Sequence, residues 1–311
     1  MNNDRIAIID CGTNTFHLLI AEAQDVRFRT IHQERQAVRI GQGGISSGTI
    51  TREARERALS TLRDFSRKIS NEKCSEIRAF ATSAFRSASN GKELVNEIAD
   101  TTGIKIRVID GEKEAELIYK GVRFALKDLH KPALVVDIGG GSVEFIIGRE
   151  DTVLWKRSYE IGAQRLIDLF YHKDPIPRDS VTAMHDFLKT HLPGIKEAVN
   201  RYRPEVLIGS SGSFETLSEM YMAAESVQPI SDSELPLTKE AFNTILEQLI
   251  SLPRGKRREI PGMIEMRIDM IVVASVLIDH LIGMMSPLQL RVSKYALKEG
   301  VMSEWLKEKA N

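Results

Sequence analysis

Cysteine is scarce in this chain: among 311 residues only Cys11 and Cys74 occur, without CxxC spacing. A disulfide framework is therefore excluded, and a reducing, cytoplasmic setting is the expectation. Net charge is lacking as well, since 43 Lys and Arg balance 43 Asp and Glu. With no global field, neither nucleic acid nor an anionic membrane is an expected partner, and any polyanion has to be gripped locally. Long apolar runs are missing. The longest, Met270 to Ile278, is nine residues between Asp269 and Asp279, far short of the roughly 20 needed to cross a bilayer. Met1-Asn2-Asn3-Asp4-Arg5 carries none of the apolar character of a signal peptide. GxxxxGK, GxGxxG and HExxH are all absent, which removes the usual warrant for a P-loop NTPase, a dinucleotide-binding enzyme or a zinc protease. Low-complexity linkers are absent too; Gln228 to Glu234 is the expected surface loop.

What is present is an ordinary globular composition, 42% hydrophobic and 28% charged, in a chain longer than a single core usually fills. Ile6 to Ile9 and Phe16 to Ala21 read as strands around a tight polar turn. Ala54, Ala58, Leu62, Phe65 and Ile69 recur at helical spacing within Thr51 to Ile69. A strand (Glu76 to Ala81), a helix (Lys92 to Ala99), a strand (Ile104 to Ile109) and a helix from Glu112 to Leu126 capped by Asp110 follow. The pattern then restarts. Leu134 to Ile147 repeats Ala7 to Ile20 at a shift of 127 residues, pairing Asp10 with Asp137 and Gly12 with Gly139, and the same shift lays Phe80 to Ala84 on Leu207 to Ser211. Duplication implies two similar α/β domains facing one another, at 1–125 and 126–311. Helices are expected at Ala163 to Phe170, Asp179 to Val199, Ser213 to Ala224, Thr238 to Leu252, Arg267 to Met284 and Ala296 to Lys309, with a strand at Leu288 to Val292. The last helix is a candidate to cross back over the first domain.

A strand that ends in Asp and opens into a glycine turn does two jobs. The turn amides form an anion-binding nest, and the Asp supplies a hard oxygen for Mg2+. Asp10 with Gly12, Thr13, Asn14 and Thr15 makes one such unit, and Asp137 with Gly139, Gly140, Gly141, Ser142 and Glu144 the other. A tight hairpin that merely needs glycine accounts for either turn alone equally well; the pair favours a phosphate cleft.

Asp10 to Leu18, Ala81 to Arg86, Glu112 to Tyr119, Asp137 to Glu144, Gly162 to Leu166, Arg267-Ile268-Asp269 and Ser293 to Val301, in that order, resemble the exopolyphosphatase and guanosine pentaphosphate phosphatase (Ppx/GppA) family over nearly the whole chain. The resemblance implies two ribonuclease H-like domains of the actin, sugar kinase and Hsp70 superfamily with the active site between them. It also implies dependence on Mg2+ or Mn2+, and removal of terminal phosphate from polyphosphate or pppGpp. It makes Glu114 the base that activates water, with Glu144 as a second catalytic acid. Asp10, Asp137 and Glu144 become metal ligands and Arg86 a phosphate contact. Gly209, Ser210, Ser211 and Gly212 form a further phosphate loop and the candidate nucleotide pocket of an alternative phosphotransferase. A non-catalytic polyphosphate or (p)ppGpp sensor is the other alternative, against which Glu114 argues.

The chain departs from that pattern at His17, where long-chain enzymes commonly have Arg, and at Lys294 and Lys298, in place of Asp and Arg. It also ends where many relatives add helical domains, so the expected substrates are short polyphosphate chains first, with nucleotides or another phosphoanhydride as alternatives. A basic run at Arg254, Lys256, Arg257 and Arg258 is a candidate polyphosphate anchor, with a solvated loop as the plainer reading. Homodimerisation is left open.

Overall fold

The computed structural model describes residues 5–24 and 27–310; Met1 to Asp4, on which the reading of the N-terminus falls, lie outside them. The first half runs β1 (Arg5–Cys11), β2 (Phe16–Gln24), β3 (Arg27–Gln36), α1 (Arg52–Asn71), β4 (Glu76–Ala81), α2 (Ser83–Ser87), α3 (Gly91–Thr102), β5 (Ile106–Val108) and α4 (Gly111–Ala125). The second half opens with β6 (Ala133–Ile138), β7 (Val143–Arg149), β8 (Thr152–Tyr159), α5 (Ala163–Phe170), α6 (Arg178–His191) and α7 (Ile195–Tyr202). It continues through β9 (Val206–Ser210), α8 (Ser211–Glu225), β10 (Glu234–Leu235), α9 (Lys239–Ser251), α10 (Arg254–Arg258), α11 (Met270–Met285), β11 (Gln289–Ser293) and α12 (Leu297–Ala310).

The repeat is visible in the topology. One sheet has the order β3-β2-β1-β4-β5, the other β8-β7-β6-β9-β11 with β10 added at its edge. Asp10 pairs with His17 across β1 and β2 as Asp137 pairs with Glu144 across β6 and β7. The turn bond Gly12 N–H to Thr15 O recurs as Gly139 N–H to Ser142 O. Even the register irregularity recurs, between Ile20 and Ala21 and between Ile147 and Gly148. All of these share the 127-residue shift. In the fourth strand of each half, β4 and β9, the expectation that Phe80 to Ala84 falls on Leu207 to Ser211 is corrected: the shift is 130, because Ser210 stands opposite Asp137 where Phe80 stands opposite Asp10.

Strand alternation decides which way the acids face. Ala7, Ile9 and Cys11 pack outward with Ala58, Leu62 and Phe65 of α1. Ile6 and Ile8 face inward, into a core shared with α4, α12, and Val135, Ile146 and Ile208 of the second sheet. Asp10 continues the inward row of Ile6 and Ile8, Asp137 that of Ala133 and Val135, and Glu144 that of Ile146. Three carboxylates thus arrive at one end of the space between the sheets.

That space is filled by α4 and α12, which approach so closely that a Cβ on Gly121 would stand 1.9 Å from Ala296 O and one on Gly300 1.8 Å from Leu117 O. α12 lies on the first sheet: the Trp305 indole donates to Glu76 Oε2 at 2.9 Å, and Arg78 pairs with Glu308. A further expectation is corrected. The helix foreseen over Asp179 to Val199 is two, because Pro193 has no N–H to donate and Gly194 sits at φ +86°.

Candidate active site

The two glycine turns meet between the sheets. A Cβ on Gly140 would stand 2.2 Å from Asn14 Nδ2, and one on Gly141 2.4 Å from Ser83 Oγ and 2.6 Å from Thr13 Oγ1. Any side chain at either position would have to displace Asn14, or Ser83 and Thr13, so glycine is what lets the turns meet this closely. Around the junction lies a cavity of about 100 Å³ lined by Asp10, Gly12, Thr13, Asn14, Thr15, Glu114, Asp137, Gly139, Gly140, Gly141 and Ser142. Among the described backbone hydrogen bonds, the amides of Thr13, Asn14, Gly140 and Gly141 donate to no carbonyl, which leaves them for an anion.

Glu114 reaches the cavity because Asp110 caps α4, accepting from Lys113 N at 2.7 Å, and the first turn of that helix points between the sheets. Its Oε2 accepts from Arg86 Nη1 at 3.2 Å, and the same nitrogen donates to Ile109 O at 3.0 Å. Burial, then the Glu144 charge, push the Glu114 carboxyl well above the usual carboxylate range, against the pull of Arg86. Asp10 is pushed up to about 7 by burial, with Lys298 opposing and Asp137 adding. Asp137 is raised by burial despite hydrogen bonds from Ser211 at 2.6 Å and Ser210 at 2.8 Å. Glu144 rises to about 8 through burial and the facing Asp137. Four buried acids therefore share a site with less positive charge than they need.

The other wall is cationic. His17, Arg35, Arg267, Lys294 and Lys298 line it together with Glu215. Burial first, then Lys298, Arg35 and Arg267, hold the His17 imidazole well below its ordinary pKa, so it is neutral at pH 7. Arg267 is buried with its Nε unpartnered. The Arg35 pairing with Glu215 at 3.4 Å ties the first sheet to α8 across the opening.

The structure brings together most of the residues expected from sequence, with these exceptions. Glu144 does not line the cavity; Ser158 Oγ on β8 donates to its Oε1 at 2.7 Å, and among the described residues no three acidic, His or Cys side chains converge as a metal site. Glu144 stands opposite Asp137 across β6 and β7, beside the cavity rather than in its lining. Arg86 stands beside the cavity with its guanidinium already shared between Glu114 and Glu160. Of the loop Gly209 to Gly212, only Ser211 and Gly212 line the cavity. Gly209 is covered by Phe214, where a Cβ would stand 2.0 Å from the ring, and Ser210 is committed to Asp137. The basic run is neutralised: Arg254 pairs with Asp269, Lys256 with Glu259, the buried Arg257 with Asp174, and Arg258 with Glu265. Sequence reasoning missed Arg35, Glu215 and Glu160. Arg35 lies in a charged edge strand without apolar alternation, so no local signal marks it.

A family model described as the Ppx/GppA phosphatase family matches residues 19–309. Exopolyphosphatase 2 of Mycobacterium tuberculosis is 29% identical over 313 residues, covering 96% of this chain and 97% of that protein. Exopolyphosphatase 1 of Mycobacterium leprae is 26% identical over 309 residues, covering 99% and 91%. Among solved structures, an exopolyphosphatase from Cytophaga hutchinsonii superposes with a TM-score of 0.94 at 44% identity, covering 98% of each chain. The Aquifex aeolicus Ppx/GppA family member, at 24% identity and a TM-score of 0.82 over 99% of each chain, shows the same fold.

Proposed function

The chain belongs to the Ppx/GppA phosphatase family and has its two-part, actin-like α/β fold, and from that premise we propose that it is a hydrolase that releases the terminal phosphate of inorganic polyphosphate, with Glu114 as general base. One observation carries this reading. The two glycine turns, facing each other from the two sheets, border a cavity that holds a buried carboxylate on one side and a row of cations on the other.

Phosphoryl transfer to water needs the phosphate held, a water aligned with the bond to be broken, and charge on the transferred oxygens neutralised. The free turn amides and Lys298 hold the phosphate. Arg86 fixes the Glu114 carboxylate at 3.2 Å, and a carboxylate whose proton affinity is raised by burial takes a proton from water more readily than an ordinary one.

The donor set suits a hard divalent cation: carboxylate and hydroxyl oxygens surround the cavity, and burial raises Asp10, Glu114 and Asp137, so a cation beside them would favour their charged forms. Asp10 and Asp137 would hold Mg2+ or Mn2+, with substrate oxygens and water completing the set, as Mg2+ commonly requires. When bound, the cation supplies charge neutralisation on the transferred phosphoryl oxygens.

Short chains are the favoured polyphosphate substrate, because the cations at Arg254, Lys256, Arg257 and Arg258 are each matched by an acid and offer no extended track. The triphosphate of pppGpp presents the same terminal anhydride and is the second substrate class. Among the described residues no helix is long and apolar enough to cross a membrane, and both cysteines are free, which fits work in the cytosol.

The test is phosphate release with Mg2+ from short polyphosphate, long polyphosphate, pppGpp and ATP, side by side. Fastest turnover on short polyphosphate, lost with chelator, is the expected result; release from ATP alone would replace this reading with a nucleotide phosphotransferase or NTPase.

A further inference from the structure

Beside the cavity, one carboxylate is held by groups from both halves of the molecule. Glu160, in the loop after β8, accepts from Arg86 Nη2 at 2.7 Å through Oε1 and from Arg165 Nη2 at 3.0 Å through Oε2, and Ser83 Oγ donates to Oε2 as well. Ser83 and Arg86 belong to the first half, Arg165 to α5 of the second. Burial would raise the Glu160 pKa, and the Ser83 and Arg86 bonds more than reverse it, so the group is a full anion at pH 7.

Neither arginine depends on Glu160 for its place. Arg86 is anchored by Ile109 O at 3.0 Å and by Glu114. Arg165 Nε donates to Gly141 O at 3.0 Å, with Nη1 reaching Ile45 O at 3.4 Å and Nη2 reaching Ser87 Oγ at 3.4 Å. Glu160 is the most solvent-exposed of the three: its side chain is 44% exposed, against 22% and 19% for the two arginines. A residue that merely positioned Arg86 would be the buried partner, not the exposed one.

Two guanidinium forks and a hydroxyl aimed at one spot form an anion seat. A phosphate edge offers two oxygens in much the same arrangement as a carboxylate, with a further oxygen for Ser83. We propose that the Arg86 and Arg165 pair is a second phosphate seat beside the catalytic cavity, occupied by Glu160 until a neighbouring phosphate of the substrate chain displaces it. This rests on the reading of the cavity as a polyphosphate site. Arg86 sets the spacing, since one of its nitrogens touches Glu114 while the other faces the seat. Because donors come from both halves, exchanging Glu160 for substrate keeps the cleft bridged, and a substrate too short to reach the seat leaves Glu160 in place.

The test is calorimetric binding of inorganic tripolyphosphate in chelator at fixed ionic strength, where turnover does not intervene. Glu160→Gln empties the seat of its anion and should bind about three- to tenfold tighter than wild type, the range expected when exposed ion pairs no longer compete. Arg165→Gln in that background should cancel the gain. Glu53→Gln, the same charge change on α1, should leave binding as in wild type. Glu160→Asp, too short to bridge both arginines, should shift binding in the same direction and serves if Glu160→Gln fails to fold. Equal or weaker binding by folded Glu160 variants would overturn the seat. Failure of the wild type to release phosphate in a separate assay would refute the activity and leave the binding result standing on its own.

Discussion

Asp137 shows how much one residue's surroundings decide here. Its two oxygens take hydrogen bonds from Ser210 and Ser211, its strand neighbour is Glu144, and like charges directly opposite on adjacent strands repel. Ser210→Ala removes one of the bonds that orient this carboxylate toward the cation; roughly 10- to 100-fold more Mg2+ should be needed for half-maximal rate, as for lost outer-shell partners of metal ligands. An unchanged Mg2+ titration would show that Asp137 does not hold the cation. The pH dependence follows from the same cluster. Asp10 at about 7 and Glu144 at about 8 lie above their ordinary values. Their contribution to stability is therefore complete below their ordinary values of 3.8 and 4.5 and is lost progressively as pH rises from there through 7 to 8. The thermal midpoint of metal-free protein should fall between pH 5.5 and 8.5, and Mg2+ should restore more of it at pH 8.5 than at pH 5.5; a rising midpoint would contradict this burial of acids. At this scale the sequence marked Asp10, Glu114 and Asp137 through their motifs. It could not show that Glu144 is turned to Ser158, because a strand pattern states which face a residue takes but not which hydroxyl it meets.

Among elements, those with chemical punctuation were legible. Thr51, Asp110 and Thr238 cap α1, α4 and α9 through their side-chain oxygens, each a residue type whose capping chemistry is local. β3 and β8 were not legible. They pair on one side only, at the sheet edges, and their charged, half-exposed sequences lack the alternation that marks a strand with one buried face. The pairing of α4 with α12 was also hidden, since it depends on two glycines 179 positions apart in the chain. Gly121→Ala or Gly300→Ala would force these helices apart and should cost about 1 to 3 kcal/mol, the usual range for overpacking. Because α4 carries Glu114, turnover should drop at temperatures where the variant is still folded. Denaturant unfolding paired with activity measures both; full activity and stability in both variants would mean that the contact yields freely.

For the whole molecule, the repeat at 127 residues was readable because the Asp and glycine of each turn are fixed by chemistry rather than packing. The slip to 130 in β9 was not, since an intervening helix can change length without disturbing either turn. The two halves share a core: Ile6, Ile8 and Leu19 of the first sheet meet Val135, Ile146 and Ile208 of the second through α4 and α12. Unfolding should therefore be one cooperative transition with coincident circular dichroism and fluorescence, and two separated transitions would indicate independent domains. The shared core is also what sets Glu114, on a helix between the sheets, against phosphates held by turns from both. That placement is the central claim, and Glu114→Gln tests it most directly, because the change preserves shape and removes only the ability to accept a proton. Measured as kcat for phosphate release from short polyphosphate alongside tripolyphosphate affinity, the variant should lose roughly 100- to 10,000-fold in turnover while binding as tightly as wild type or somewhat more so. A folded Glu114→Gln protein that turns over at the wild-type rate would contradict the account and move the base to another carboxylate, Glu144 first.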